Sequence, residues 1–187
     1  MPLDVRGQSE PIGGVLALDL SSVVGWAYGL TTSRVPMFGT WRLPKWGGEG
    51  ARYAAFENEL AAFMDQYQPN SMVLEATLPL HAMLHGKSNY VSVSQQFALR
   101  GIAISEAYRG SCAKSEIDAL TVRREVIGSS RLGRGDEVKK AIVAACHRRG
   151  WKVPDHNAGD ACLTWEWRRM RMVGLPPVAG PLWSNAA

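Results

Sequence analysis

The chain has 187 residues, 46% of them hydrophobic and 20% charged, a size and balance that fit one globular unit with a buried core and exclude disorder, collagen-like repeats and a small disulfide scaffold. Lys and Arg outnumber Asp and Glu by 21 to 17, a net charge of +4, and twelve of the cations fall between Arg123 and Arg171. That bias suits a polyanion surface, although a solvated helical face is its commoner cause.

Residues 1–13 (MPLDVRGQSEPIG) lack the positive-then-apolar plan of a signal peptide and read as a flexible cytoplasmic leader. No apolar run approaches the ~18 residues of a membrane span. Val15 to Leu20 (VLALDL) is an apolar run of strand length with one acid near its end. Val23–Leu30 and Val35–Leu43 are β-branched and aromatic, and the short polar turns between these three segments predict an antiparallel meander. A helix follows from Ala51 to Gln68, with Phe56, Leu60, Phe63 and Tyr67 on one stripe. Ser71–Glu75 (SMVLE) is a fourth strand, again ending in an acid. Beyond a loop from Ala76 to Lys87, the pattern predicts a helix over Asn89–Arg109, a strand near Cys112–Ile117 and a helical turn around Leu120–Ile127. Another helix spans Glu137–Arg149 with Asp136 as N-cap, and a last one Asp155–Met172. Residues 14–173 thus read as one domain and 174–187 as an irregular tail. Strands that begin as a meander and then alternate with helices give an α/β fold with a mixed sheet.

Three acids stand at boundaries where carboxylates are costly to bury: Asp19 after Val15-Leu16-Ala17-Leu18, Glu75 after Met72-Val73-Leu74, and Asp160 at the start of the last helix. Any one of them alone is best read as a strand-end or cap residue facing water. If the first and fourth strands are neighbours, however, Asp19 and Glu75 leave the sheet at one edge, and the last helix packed across it brings Asp160 to them. Clustered carboxylates repel unless divalent cations neutralise them, and hard oxygen ligands select Mg²⁺ or Mn²⁺. Two such ions are the known means of activating water and stabilising the leaving oxygen in phosphodiester cleavage.

LALDLSSVVGWAYG, MVLEA and VPDHNAGDACLTWEW, in that order, resemble the RuvC-type Holliday junction resolvases, in the style of the short phage and prophage forms, over about Val15 to Met172. The resemblance implies a ribonuclease H-like fold, with a mixed five-stranded sheet made of a three-strand antiparallel meander plus parallel strands, flanked by helices. It implies a homodimeric, Mg²⁺- or Mn²⁺-dependent endonuclease with two ions per site, cutting four-way and other branched DNA, with no nucleotide cofactor and no membrane. Asp19, Glu75 and Asp160 match three of the family's four metal-binding positions, and Asn157 stands at the fourth, where Asp or His is usual. Asp155 and His156 are adjacent substitutes; His156 and Asn157 share a helical face with Asp160, whereas Asp155 fits better as N-cap.

The resemblance places Arg123 where the family has a lysine that serves the scissile phosphate, and no lysine fills the second such position near Arg134-Gly135. Arg131, Arg134, Lys139 and Lys140 lie on or beside a Gly-rich turn and read as phosphate contacts or as a solvated helix start. Lys87, His81 and His85 follow Glu75 in a loop that approaches the junction in the family, where a wedge would have to be Leu or Met83. Val93, Phe97, Ala98, Gly101, Ala103 and Ile104 read as core packing or a helix–helix seam between two copies. Trp151, Trp165 and Trp167 read as core or rim residues, and Cys112, Cys146 and Cys162 as small core residues. Two other functions compete: a junction-binding protein of the same fold weakened by Asn157, and an actin-like ATPase, whose two lobes need more than 187 residues.

Overall fold

A computed structural model describes residues 13–76 and 90–178. Residues 1–12 of the leader, the loop carrying His81, Met83, His85 and Lys87, and the last nine residues of the tail lie outside the described residues. The chain runs β1 (Gly14–Asp19), β2 (Val23–Leu30), β3 (Met37–Arg42), α1 (Gly48–Tyr67), β4 (Ser71–Glu75), α2 (Tyr90–Arg109), β5 (Ala113–Ile117), α3 (Ala119–Val122), a π-helical turn (Arg123–Ile127), α4 (Asp136–Arg148) and α5 (His156–Met172). The sheet order is β3-β2-β1-β4-β5. The first three strands are antiparallel, and β4 and β5 run parallel to β1. This is the mixed five-stranded sheet expected.

Alternation along β1 assigns its two faces. Leu16 and Leu18 turn to one core with Phe56, Leu60, Phe63 and Met64 of α1 and Leu99 and Ala103 of α2. Val15 and Ala17 turn to the other, with Ile142 and Cys146 of α4 and Ala158, Ala161, Cys162 and Trp165 of α5. Among the described residues the two cores bury 16 and 15 apolar side chains, which is why β1 and β4 carry unbroken apolar runs: both of their faces are covered. The α1 stripe is as expected, and Trp26, Trp41 and Tyr28 of β2 and β3 pack their rings against its Phe63.

Four local details differ from the sequence reading. Gly135, not Asp136, occupies the N-cap of α4; Asp136 is the first helical residue, where it still meets the positive helix end and pairs with Lys139 at 3.0 Å. The turn expected over 120–127 splits into one α-turn and a π-helical turn starting at Arg123. β3 begins at Met37 because Val35 is exposed and unpaired with β2. In α2 the residues of the proposed seam divide: Ala103 is buried in the core, whereas Phe97 is exposed and Gly101 faces open space. Trp151 and Trp165 are core residues, Trp167 is partly buried, and all three cysteines are buried and unpaired.

Candidate active site

β1 and β4 are parallel neighbours in register from Val15↔Ser71 to Leu18↔Leu74, so Asp19 and Glu75 come next at the same edge of the sheet. On the other side of β1, Asp19 pairs with Gly25 of β2. Residues opposite each other in an antiparallel pair share a face, so Asp19, Gly25, Ala27 and Gly29 all turn toward α5.

That small-residue bed lets the last helix sit close. A Cβ on Gly25 would lie 2.0 Å from the Asn157 carbonyl oxygen, and one on Gly29 would lie 2.9 Å from the Trp165 ring. Trp165 donates its indole N–H to the Gly29 carbonyl at 3.2 Å. Arg168 donates to the Ser71 hydroxyl at 3.1 Å, pinning α5 to β4. At the helix start, Asp155 is the N-cap and accepts from the Ala158 amide at 3.0 Å. It is thereby spoken for, as the sequence suggested. A Cβ on Gly159 would lie 2.8 Å from Ile142 Cγ2, so its absence lets α4 pack close against α5. These contacts set the rotation of α5 and deliver Asp160, one turn in, to the edge that carries Asp19 and Glu75.

The three acids lie close enough to feel one another. Burial pushes the Asp19 carboxyl well above the usual range; Glu75 and Asp160 push it further, Arg123 opposes them and Asp155 adds to the rise. Burial, then Asp160, raises Glu75 to about 7 against the pull of Arg123, with Asp118 adding a little. Asp160 is raised by burial, while Arg123 and then His156 hold it down. The Arg123 guanidinium donates Nη2 to Asp160 Oδ1 at 3.3 Å, with both side chains mostly buried (18% and 15% exposed). Its Nε is buried and unbonded. Arg123 opens the π-helical turn, an irregularity found often at functional sites.

Arg123 is therefore inside the acidic centre; the resemblance set it against the scissile phosphate but did not reveal its ion pair with Asp160. His156 and Asn157 lie one turn before Asp160 on α5. Lys139, Lys140, His147, Asp155 and His156 line a groove of about 400 Å³ between α4 and α5, floored by Val143 and Ala144 and reaching the N-terminus of α5. Arg131 and Arg134 are exposed on the turn before α4. Lys87 lies outside the described residues.

Among the described residues, no group of three or more His, Cys, Asp or Glu side chains forms a preassembled metal cage. The donor set nevertheless suits a hard divalent cation. It offers three partly buried carboxylates, with Asn157 one turn before Asp160 on α5 and Arg123 as the opposing cation, and hard ions take oxygen ligands of this kind.

No protein-family model matches the chain, and no curated protein matches it in sequence. Solved structures do match. Thermus thermophilus RuvC in complex with a Holliday junction substrate aligns with a TM-score of 0.65 at 9% identity, over 88% of this chain and 98% of that one. Another Thermus thermophilus RuvC structure gives 0.62 at 11% identity with the same coverage. The yeast mitochondrial Holliday junction resolvase gives 0.56 at 10% identity, over 88% of this chain and 82% of that one. The chain has the ribonuclease H-like α/β fold, in the form that RuvC-type Holliday junction resolvases share.

Proposed function

We propose that the protein is a metal-dependent endodeoxyribonuclease that resolves Holliday junctions and other branched DNA. The observation that carries this reading is the meeting of Asp19, Glu75 and Asp160 at one sheet edge, with Asp19 raised by burial and then by Glu75 and Asp160, and Glu75 by burial and then by Asp160. Such a centre is stable in ionised form only with added positive charge. Asp19, Glu75 and Asp160 would hold two Mg²⁺ or Mn²⁺ ions, with Asn157 or His156 completing the set. When bound, such ions supply an activated water and charge stabilisation at the leaving oxygen.

The chain's own side chains account for binding and orientation. Arg123 presents a charge at Asp160 with its Nε uncommitted, suited to a phosphate oxygen at the reacting bond. Arg131, Arg134, Lys139 and Lys140 extend a cationic track from the turn before α4 toward the N-terminus of α5, where phosphates set register without reading sequence. A two-fold junction calls for two sites, hence a homodimer. The outer stripe of α2, where Tyr90, Phe97 and Tyr108 are 83%, 45% and 86% exposed, is the surface suited to a second copy.

Asn157 supports a second reading, a junction-binding protein that does not cut, because an amide brings no charge to the metal site. Incubation with a mobile synthetic four-way junction separates the two. Nicking in Mg²⁺ that disappears with EDTA and in Asp160→Asn supports the nuclease. Tight binding with no nicking across Mg²⁺ and Mn²⁺ titrations selects the binder.

A further inference from the structure

The edge of the sheet that carries Asp19 has a second feature. β3 ends at Arg42, which pairs with Val23 just after the β1–β2 turn, and Val23 stands two residues before Gly25, the partner of Asp19. The pleat therefore puts Arg42 on the same face as Asp19, two strand spacings across and two residues along, roughly 12 Å away. Beyond Arg42 the chain continues Leu43-Pro44-Lys45-Trp46-Gly47-Gly48 into α1. Leu43 is buried in the core, and Gly47 and Gly48 take φ of 81° and 73°, left-handed values that side chains disfavour. The turn is thus held between an anchored leucine and a helix start.

Trp46 stands at the tip of this turn, 80% exposed. It is the only exposed tryptophan among the six in the described residues. Lys45, its neighbour in the chain, lines with Arg42 and Arg52 a recess of about 230 Å³ that no acid lines. Arg52 is steadied by donating Nη1 to Gln95 Oε1 at 3.0 Å, and its Nε is buried without a partner. Glu49, the nearest acid along the chain, is in the first turn of α1 and does not line the recess. A bare indole beside clustered cations has the chemistry of a base-stacking platform with phosphate sites alongside.

We propose that Trp46 and the recess of Arg42, Lys45 and Arg52 form a second DNA contact: an unpaired nucleotide of the branched substrate stacks its base on Trp46 while the adjoining phosphate enters the recess. The inference rests on the nuclease reading above and deepens it, since it names the part of the substrate held beside the cut.

The test is fluorescence anisotropy with a labelled four-way junction in EDTA, using wild type, Trp46→Ala, Trp46→Phe and the double variant Arg42→Ala/Lys45→Ala. Trp46→Ala should weaken binding by about fivefold or more, with Trp46→Phe restoring most of it. The double variant should flatten the slope of log affinity against log salt by about 2. Thermal unfolding of all four should coincide, because these side chains are exposed at the surface. Wild-type binding and cleavage with Trp46→Ala within twofold in affinity, or a Trp46→Phe loss as large as that of Trp46→Ala, overturns the platform and leaves the nuclease standing. A wild type that neither binds nor cuts any branched DNA overturns both.

Discussion

Gly25 and Asn157 are in backbone contact: a Cβ on the glycine would fall 2.0 Å from the asparagine carbonyl oxygen. Because Gly25 is also the register partner of Asp19, one missing side chain sets both the closeness of α5 to the sheet and the nearness of Asp160 to Asp19. Gly25→Ala should cost about 1–3 kcal/mol or more, as overpacking a tight contact does. It should also depress cleavage more than the stability loss explains, because α5 must shift. Urea denaturation and junction nicking, compared for the same preparation, check this.

Trp165 is fully buried and ties α5 to Gly29 through its indole N–H. Trp165→Ala should cost about 3–5 kcal/mol. Trp165→Phe keeps most of the packing and loses mainly the hydrogen bond, about 0.5–1.5 kcal/mol. Chemical denaturation midpoints distinguish the two.

The raised carboxyls predict an unusual pH profile for the metal-free protein. Glu75 titrates at about 7 in the fold, against 4.5 ordinarily, so the folded state binds more protons than the unfolded state between those values. Its contribution is fully present below pH 4.5 and is lost as the pH rises toward 7. Glu116 and Glu125 are lowered by their hydrogen bonds to Lys114 and Arg100, and to Arg171 and Trp167, respectively, against opposing burial, so their contributions vanish on acidification instead. Stability in EDTA should therefore peak near pH 5 and fall toward 7. Glu75→Gln should flatten that fall, and added Mg²⁺ should reverse it by binding the ionised acids. Melting curves at a series of pH values test all three statements.

Arg123 is the cation that hydrogen-bonds Asp160. Arg123→Ala should destabilise the metal-free protein at pH 8 by about 1–3 kcal/mol, since it strands a mostly buried carboxylate. It should also enlarge the stabilisation that Mg²⁺ confers. Arg123→Lys keeps the charge without the planar fork and should fall between. Melting with and without Mg²⁺ gives both quantities.

Much of this arrangement was legible in the chain. Asp19 and Glu75 end apolar runs that only a doubly covered sheet would use, and Asp155 three residues ahead of Ala158 marks the start of α5, which fixes where Asp160 falls on the helix. The pairing of Arg123 with Asp160 was hidden because it depends on the π-helical turn at Arg123–Ile127, which no hydrophobic period announces. The Gly25–Asn157 contact needs the β1–β2 register before the glycine acquires a meaning. A readable clue was present in the alternation of Gly25, Ala27 and Gly29 along β2, which marks a strand face lying under another element. Gly135 displaced Asp136 from the cap because its φ of 53° suits glycine, a backbone fact invisible in composition. Trp46 carries no signal of its own in the sequence, since exposure depends on what the rest of the chain leaves uncovered.

The central claim is that Asp19, Glu75 and Asp160 act as one centre that requires hard cations. Mn²⁺ binding followed by electron paramagnetic resonance, in wild type and in Asp19→Asn, Glu75→Gln and Asp160→Asn, tests it most directly. Wild type should take up Mn²⁺, competed by Mg²⁺, and each single substitution should weaken uptake at least tenfold while the fold persists. Equal Mn²⁺ binding by wild type and all three variants, or none by wild type, would contradict the account.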